Sequence, residues 1–388
     1  MDNVFAFMAG TSLYCSNALP SRHKPGTLVY LRSIKLAQFK NYEQRSLDLS
    51  PRLNCFVGLN GTGKTNLLDA VYVLCLTRSH RNLPDKNLIL HGEGFFRVEG
   101  VFEHDGERSH VVVKFANGQR KEIERNGSPY PRLIDYVGRF PVVMIAPDDI
   151  ALVQDGSEER RRFLDATLSQ ISSEYLQNLL TYNALLKQRN ALLKMFAEQR
   201  RFDPMLLEAV DQQMPEPAAV ISEKRREFSN AFSPVFQEMY AAIAGDGEQV
   251  AFVLEPGSDS DDFTATLRAN IERDRILERT SAGPHRDDLA LTLHGHPVKK
   301  YASQGQLKSF LLALRLAQYD VLRQEKGVSP LLLLDDIFDK LDEQRVRQLV
   351  ALLIERNFGQ IFITDTQRGR VEAVVSSFAG EYLMVEVA

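Results

Sequence analysis

A glycine-rich octapeptide is the strongest chemical signal in this sequence. Gly58-Leu59-Asn60-Gly61-Thr62-Gly63-Lys64-Thr65 fits the P-loop pattern G-x-x-x-x-G-K-[ST]. A short apolar stretch, residues 53–57, precedes it, and apolar residues at helical spacing follow it from Leu67 onward. Glycines let backbone N–H groups approach phosphates closely at the positive end of a helix. The predicted phosphate-binding residues are Gly58, Asn60, Gly61, Thr62, Gly63, Lys64, Thr65 and Asn66.

Lys64 and Thr65 have different expected tasks in this site. The Lys64 ammonium group is expected to reach the β and γ phosphates of ATP, and the Thr65 hydroxyl is expected to bind Mg²⁺. The strand before the loop and the helix after it favour this interpretation over a glycine-rich turn with an exposed lysine.

Two carboxylates close a second apolar run. The four leucines of residues 331–334 are followed by Asp335 and Asp336, as in a Walker B segment. We expect Asp335 to hold Mg²⁺, directly or through water, and Asp336 to position and activate the attacking water. Asp336 and Lys64 are therefore the predicted catalytic residues. The alternative, a strand that ends in a polar turn, would be favoured if the P-loop were absent.

A polar tetrapeptide lies between these two motifs along the chain. Ser303-Gln304-Gly305-Gln306 directly precedes an amphipathic helix, whose first N–H groups offer a site for an anion. Ser303, Gly305 and Gln306 are therefore candidates for a second phosphate-binding element. An ordinary helix N-cap at Ser303 explains the same residues equally well.

Basic residues suggest where nucleic acid would bind. Arg160, Arg161 and Arg162, with Lys187 and Arg189 further along, are candidates for contacts with DNA phosphates. A solvated helix face, neutralised by Glu158, Glu159 and Asp165, is the alternative, and the sequence leaves the two open.

One histidine needs a separate interpretation. His285 lies between Pro284 and Arg286, but no paired nucleophile accompanies it. We therefore expect a structural role or a contact on the γ-phosphate side, and Arg286 is the better functional candidate.

The elements that must position these residues form an α/β pattern. Strands alternate with helices at both ends of the chain, whereas residues 158–213 and 223–244 are almost wholly helical. This order predicts one α/β domain whose middle is interrupted by helices. Residues 250–254 and 289–293 are predicted strands that return toward the sheet.

These patterns predict four segments. Residues 1–28 have little pattern, and we expect their deletion up to Thr27 to leave ligand binding unchanged. Residues 29–150 are the first part of the ATPase domain, with the P-loop and an antiparallel β subdomain. Residues 151–280 form a helical insert, and residues 281–388 form the second part of the ATPase domain.

Composition narrows the functional classes. The 388 residues contain 47 Lys and Arg against 51 Asp and Glu, a net charge of −4, which excludes a histone-like binder. No apolar run approaches the about 18 residues of a membrane span. The three cysteines form neither a metal-ligand spacing nor an even disulfide set, so a reducing cytoplasm is expected.

Several motifs together resemble a known family. The order of P-loop, long insert, Ser-x-Gly-Gln and Asp-Asp is similar to ABC-type ATPases of the SMC group. The sequence resembles the RecF family of bacterial recombination mediators more closely, from about residue 30 to the end. The motifs that carry this resemblance are residues 31–42, 58–65, 160–165, 283–288, 303–306 and 341–342.

The resemblance implies a fold and a function. The fold would be an ABC-type P-loop ATPase domain with an antiparallel β subdomain and an inserted helical lobe. Two subunits would form a homodimer around two ATP molecules. Residues 303–306 of each subunit, here called the serine motif, would cap the nucleotide of the other. The protein would be a weak DNA-linked ATPase that recognises gapped or junction DNA and, with RecR and RecO, helps load RecA.

The sequence also departs from the family pattern. Asp155 and Ser157 stand where glycine and proline are usual, Lys308 replaces an arginine, and Asp339-Lys340 replace a small residue and an acid. No switch histidine occupies residues 364–366, and no Gln-loop glutamine follows Ala146.

Two other classes compete with this interpretation. The nucleotide-binding subunit of a membrane transporter shares the ATPase motifs, but the long helical insert counts against it. A small-molecule P-loop kinase would not explain Ser303–Gln306.

Overall fold

The computed structural model describes residues 27–245, 247–258, 262–338, 341–376, 378 and 381–387. The predictions for residues 1–26 and for Asp339-Lys340 lie outside these ranges. In the described part, the chain before residue 146 is mainly strands around one long helix. Its elements are β1 (Thr27–Phe39), β2 (Tyr42–Asp48), β3 (Leu53–Val57), α1 (Lys64–Leu76), β4 (Phe95–His104), β5 (Glu107–Ala116), β6 (Glu122–Arg125), β7 (Ser128–Pro129) and β8 (Val142–Ile145).

The middle of the chain is dominated by helices. Its elements are α2 (Ala151–Gln154), α3 (Ser157–Ile171), α4 (Ser173–Gln199), α5 (Pro204–Asp211), α6 (Pro215–Ala244), β9 (Val250–Glu255), α7 (Phe263–Ala269), α8 (Ile271–Leu277), β10 (Asp288–Leu293) and β11 (His296–Pro297). Pro215 occupies the first turn of α6, where its missing N–H has no helical partner to lose. The interval between the two predicted helical stretches, 158–213 and 223–244, is therefore occupied by the beginning of a 30-residue helix.

Helices and strands alternate again in the last part of the chain. Its elements are α9 (Val298–Tyr301), α10 (Gln304–Lys326), β12 (Val328–Ser329), β13 (Leu331–Leu334), α11 (Glu343–Glu355), β14 (Ile361–Asp365), α12 (Arg368–Val375) and β15 (Tyr382–Glu386).

A five-stranded parallel sheet forms the centre, in the order β15-β3-β14-β13-β8. Side chains of successive strand residues point to opposite faces, so both faces need apolar residues when both are covered. Leu332 and Leu334 pack into the hydrophobic cluster of the helical region, whereas Leu331 and Leu333 pack into a second cluster. This second cluster contains α1 and residues of β1, β4 and β5. The strand of four leucines is thus buried on both sides.

The strands of the first part form the predicted antiparallel subdomain. β1 pairs with β2 and β4, and β4, β5, β6 and β7 follow one another as antiparallel neighbours. Turns at residues 117–118 and 126–127 connect β5 to β6 and β6 to β7, as Asn-Gly pairs predict. The apolar face of this sheet packs on α1, which begins at the P-loop.

One expectation about the middle of the chain is wrong. β9 and β10 do not return to the main sheet but form a separate three-stranded sheet with β11. The physical reason is that α6 packs on β9, with the ring centroids of Phe232 and Phe252 4.6 Å apart, and so holds these strands in the helical region.

None of the helices in the described ranges is long and apolar enough to cross a membrane.

Candidate nucleotide-binding site

Lys64 occupies an unusual electrostatic environment at the beginning of α1. Its side chain is only 7% exposed, and its Nζ donates hydrogen bonds of 2.8 Å to the carbonyl oxygens of Gly58 and Leu59. No carboxylate among the described residues forms an ion pair with it. Buried charges in proteins are normally paired. The loop between β3 and α1 therefore holds a cation whose counter-charge must come from a ligand.

Thr65 and Asp335 meet although 270 residues separate them. The strands β3, β14 and β13 are parallel neighbours, so their carboxyl ends lie at one edge of the sheet. Thr65 Oγ1 lies 2.9 Å from each carboxylate oxygen of Asp335. Thr364, at the end of β14, donates a hydrogen bond of 2.8 Å to the same carboxylate. Burial raises the pKa of Asp335 above its ordinary value.

Asp336 is held in a conformation that non-glycine residues rarely adopt. Its φ is 50°, in the left-handed region, and its N–H donates to Thr364 Oγ1 at 2.9 Å. Its Oδ1 is buried and has no hydrogen-bond partner among the described residues. Strained backbone and unpartnered polar atoms are both typical of functional positions.

The residues at this edge fit a magnesium nucleotide. A hydroxyl and a carboxylate, from Thr65 and Asp335, are oxygen ligands of the kind that Mg²⁺ prefers. Within the described ranges no cluster of three or more His, Cys, Asp or Glu could hold a metal alone, so the ion would depend on phosphate oxygens as well. Gly61, with φ of 86°, has no atom within 4 Å of the position of a Cβ, so its side of the loop is open.

The sequence did not reveal that the β1–β2 turn covers the P-loop. Asn41 Nδ2 donates to Thr62 O, and Tyr42 Oη donates to Gly63 O, both at 3.1 Å. Asn66, predicted to bind phosphate, donates from Nδ2 to Asn41 Oδ1 at 2.7 Å. Gly63 has φ of 110°, and a Cβ there would lie 2.4 Å from Asn41 Nδ2. Glycine is favoured here by the backbone conformation, and a Cβ would also displace the ends of the Asn41 and Tyr42 side chains.

Asp365 is a second residue that sequence reasoning missed. It ends β14, its carbonyl accepts the Gly58 N–H at 3.3 Å, and its carboxylate accepts the Gln367 N–H at 2.7 Å. Burial raises the pKa of this carboxyl group. Its position directly after an apolar strand was the available signal, because the ends of parallel strands meet at one edge.

The serine motif forms the start of α10 and is separate from the P-loop of its own chain. Ser303 Oγ accepts the Gln306 N–H, and Gln306 Oε1 accepts the Ser303 N–H, which together form a capping box. Gln306 Nε2 also donates to Glu248 at 2.6 Å. Gly305 lies against the Arg345 side chain. Within the described part of the chain, no hydrogen bond joins residues 303–306 to the P-loop.

The three candidate DNA-binding arginines all have intramolecular partners. Arg160 forms a two-pronged ion pair with Asp288, and Arg161 donates to the carbonyl of Asp287. Arg162 pairs with Glu158 and Glu159, which are its neighbours on α3. Their contact with DNA stays a prediction, and the arrangement of Arg162 matches the alternative of a self-neutralised helix face.

Arg189, grouped with these arginines in the sequence, cannot contact DNA because its side chain is fully buried. It pairs with Asp211 at 2.7 Å and with Asp274 at 2.6 Å. The two carboxylates offset the cost of removing its charge from water.

His285 has a structural environment. Because the carbonyl of Thr280 can only accept, its contact of 3.0 Å places the proton on His285 Nε2. Nδ1 then accepts from Tyr182 Oη at 2.7 Å. Burial lowers the pKa of His285 to about 4. Both ring nitrogens are engaged, so the ring has no lone pair for a catalytic base.

The fold and the motif geometry define an ABC-type P-loop ATPase domain with an antiparallel β subdomain and inserted helices, as the sequence predicted. A family model described as the RecF/RecN/SMC N-terminal domain matches residues 30–383. An SMC head domain from Pyrococcus furiosus shares the fold, with a TM-score of 0.51 at 18% identity, covering 90% of this chain and 92% of that one.

More similar proteins and solved structures narrow the class of protein to one family. The DNA replication and repair protein RecF of Flavobacterium johnsoniae is 43% identical over 90% of this chain and 97% of its own length. RecF of Phocaeicola vulgatus is 43% identical over 92% and 96%. A solved structure of the recombination mediator protein RecF with ATPrS, from the RecFOR pathway, matches with a TM-score of 0.84 at 28% identity, covering 94% of this chain and 98% of that one. The chain belongs to the RecF family, and the transporter alternative is not favoured.

Proposed function

We propose that this protein is an ATP-dependent DNA-binding switch in DNA replication and recombinational repair. The observation that carries the proposal is the buried Lys64 ammonium, which has no ion-pair partner among the described residues and lies beside the Thr65–Asp335 pair. A second solved RecF structure, matching with a TM-score of 0.81 at 29% identity and covering 89% of this chain and 94% of that one, contains ATP. These findings support ATP as the ligand of the P-loop.

The geometry of the site supports a proposed role for each of its residues. The backbone of residues 58–66 and Lys64 hold the phosphates, and Thr65 and Asp335 hold Mg²⁺. When bound, Mg²⁺ neutralises phosphate charge and so favours nucleophilic attack. Thr364 fixes the Asp335 carboxylate and the backbone of Asp336 through one hydroxyl. Asp336, whose Oδ1 has no hydrogen-bond partner in the described part of the chain, accepts the proton of the attacking water.

The serine motif supplies the second half of the site in this proposal. Because Ser303 and Gly305 form no hydrogen bond with the P-loop of their own chain in the described structure, they are available to a partner subunit. A twofold dimer places each motif opposite the partner's P-loop and holds two ATP molecules between the chains. ATP then stabilises the dimer by mass action, and hydrolysis releases it.

The DNA part of the proposal rests on family membership. The proposed ligand is gapped DNA or a junction of single and double strands, and the proposed partners are RecR and RecO, with loading of RecA at gaps as the result. The Mg²⁺ requirement, slow ATP hydrolysis and a cytoplasmic location belong to the same proposal.

Light scattering with and without ATP tests the ATP-dependent part. We expect the mass to double with ATP in the wild-type protein and to stay monomeric in Lys64→Ala, which loses the cationic side chain of residues 58–66. Lys35→Ala, which removes an exposed lysine on β1, is the matched control and should dimerise. Wild-type nucleotide affinity in Lys64→Ala would disprove the assignment of the P-loop.

A further inference from the structure

Exposed arginine and lysine side chains lie around one buried residue of the helical region, Thr280. Its N–H and its hydroxyl both donate to Asn190 Oδ1 of α4, each at 2.8 Å. Arg286 Nη2 donates to the Thr280 carbonyl at 3.2 Å, and Arg279 directly precedes Thr280 in the chain. Both arginines are exposed. Residues 279–286 thus present two guanidinium groups beside α4.

The adjoining stripe of α4 adds two lysines. Lys187 lies three residues before Asn190 and Lys194 four residues after it, and such positions are neighbours on one helix face. Both lysines are exposed. We call the surface formed by Lys187, Lys194, Arg279 and Arg286 the Thr280 face.

The cations of the Thr280 face are not neutralised by the protein. None of the four forms an ion pair with any described residue. Two of the nearby carboxylates are engaged elsewhere, because Asp274 pairs with the buried Arg189 and Glu272 pairs with Arg275. Glu198, four residues after Lys194 on α4, is an exposed acid at the end of the stripe. Glu278 is the one exposed acid within residues 278–286. The face therefore has an excess of positive charge, in contrast to Arg160, Arg161 and Arg162.

The segment behind the face is rigid. Arg225, which is 2% exposed, donates to the Pro284 carbonyl and pairs with Asp287, and His285 bonds Tyr182 and Thr280 as described above. A segment held at several points keeps the backbone positions of its exposed arginines fixed relative to α4. Less conformational freedom is lost on binding a polyanion when the backbone that carries the cations is already ordered.

We infer that the Thr280 face binds the phosphate backbone of DNA. The inference rests on the proposed function and adds to it the surface that contacts DNA. Evenly spaced phosphates complement a group of unpaired cations on an ordered backbone, and such contacts position DNA without reading its sequence.

The test is the salt dependence of binding to a labelled, gapped DNA duplex in the presence of ATP. The variant Lys187→Gln/Arg279→Gln/Arg286→Gln removes three cations. Its plot of log affinity against log salt should be flatter by up to about 2.7, at about 0.9 for each lost contact. At about 0.1 M salt its affinity should fall by up to about 500-fold, which is about 2.7 powers of ten.

A control variant changes the net charge equally elsewhere. Arg32→Gln/Arg108→Gln/Arg132→Gln removes three exposed arginines in the strand-rich part of the chain and should bind like wild type. A second variant, Lys187→Gln/Lys194→Gln, alters only side chains without hydrogen bonds in the described structure, so its fold is preserved. Its slope should be flatter by up to about 1.8.

The outcomes separate this inference from the proposed function. Wild-type affinity and slope in both lysine-containing variants would overturn the Thr280 face and leave the proposed function intact. An equal loss in the control variant would also overturn it, because net charge alone would then explain the effect. If wild-type protein dimerises with ATP but binds no DNA, the DNA-binding part of the proposed function fails, and the inference fails with it.

Discussion

A single hydroxyl organises the two carboxylates of the nucleotide site. Thr364 Oγ1 donates to Asp335 and accepts the N–H of Asp336, whose φ of 50° turns its carboxylate away from the path of a regular strand. The strain at Asp336 costs on the order of 1–3 kcal/mol. Such a cost is consistent with a position selected for chemistry.

Asp336→Asn tests the role of that carboxylate. Asparagine tolerates the left-handed region well, so the fold should be kept. Its amide cannot accept a proton from water, so we expect ATP turnover to fall by about 10²–10⁴-fold while the ATP-bound dimer persists. Turnover assays and light scattering measure the two effects. Asp148→Asn, which changes an exposed carboxylate, is the control, and wild-type turnover in Asp336→Asn would refute the assignment.

His285 predicts a pH dependence of stability. In the unfolded chain the pKa of His285 has its ordinary value of 6.5, whereas burial lowers it to about 4 in the folded protein. Between these values the unfolded state binds more protons, so the contribution of His285 to the free energy of unfolding falls as pH drops from 6.5 toward 4. The loss amounts to about 3 kcal/mol at most.

Urea unfolding of wild type and His285→Gln at a series of pH values isolates this contribution. Glutamine cannot gain a proton, so the difference in free energy of unfolding should be constant above pH about 7 and shift in favour of the variant below it. Parallel pH profiles for the two proteins would contradict the prediction.

At the scale of elements, ion pairs join the helices to the segment that precedes β10. Arg225 on α6 contacts Asp165 of α3 and Asp287, and its Nε donates to Tyr175 Oη of α4. One guanidinium therefore connects three helices and the segment of residues 283–288. Such a buried network is satisfied only when all of its partners are present.

Arg225→Met tests this connection. Removing the cation leaves Asp287 buried without its ion-pair partner, so the free energy of unfolding should fall by about 3–5 kcal/mol. Arg226→Met, at the exposed next position, should change it by no more than about 0.5 kcal/mol. Denaturant unfolding measures both variants, and equal effects would show that burial of Arg225 is energetically unimportant.

At the scale of the whole molecule, the central parallel sheet joins two hydrophobic clusters. One cluster contains α1 and the antiparallel subdomain, and the other contains the helical region with α10. The P-loop is attached to the cluster that contains α1, and the serine motif begins a helix of the cluster in the helical region. The edge of the sheet that holds the nucleotide site therefore has a packed hydrophobic cluster on each face. A shift of the strand ends on nucleotide binding would reach both clusters.

Ser303→Arg tests whether two molecules share each nucleotide. A bulky cation at the start of α10 would occupy the place where the partner's phosphate must approach. We expect monomeric ATP binding to survive and ATP-dependent dimerisation to be lost, as measured by light scattering. The lost N-cap costs only about 1 kcal/mol.

Ser128→Arg provides the control for added charge, since Ser128 is exposed in β7. It should dimerise like wild type. If Ser303→Arg also dimerises with ATP, a self-contained monomeric site becomes the better account.

The sequence by itself determined the features that depend on contiguous residues. A P-loop binds phosphate mainly through the backbone of one loop, so residues 58–65 could be recognised from type and spacing alone. The apolar strand β13 was likewise predicted from four consecutive leucines before Asp335. The alternation of strands and helices, together with the family motifs, predicted the ABC-type fold.

Only the tertiary structure decided which distant residues meet. The insertion of β14 between β3 and β13 brings Thr364 and Asp365 to the site, and no local pattern encodes that strand order. The hydrogen bonds from Asn41 and Tyr42 to the P-loop likewise depend on how the antiparallel sheet packs on α1. The sequence around Arg189 gave no sign that this arginine is buried. The two carboxylates that make its burial tolerable come from other helices, so only the tertiary structure brings them to it.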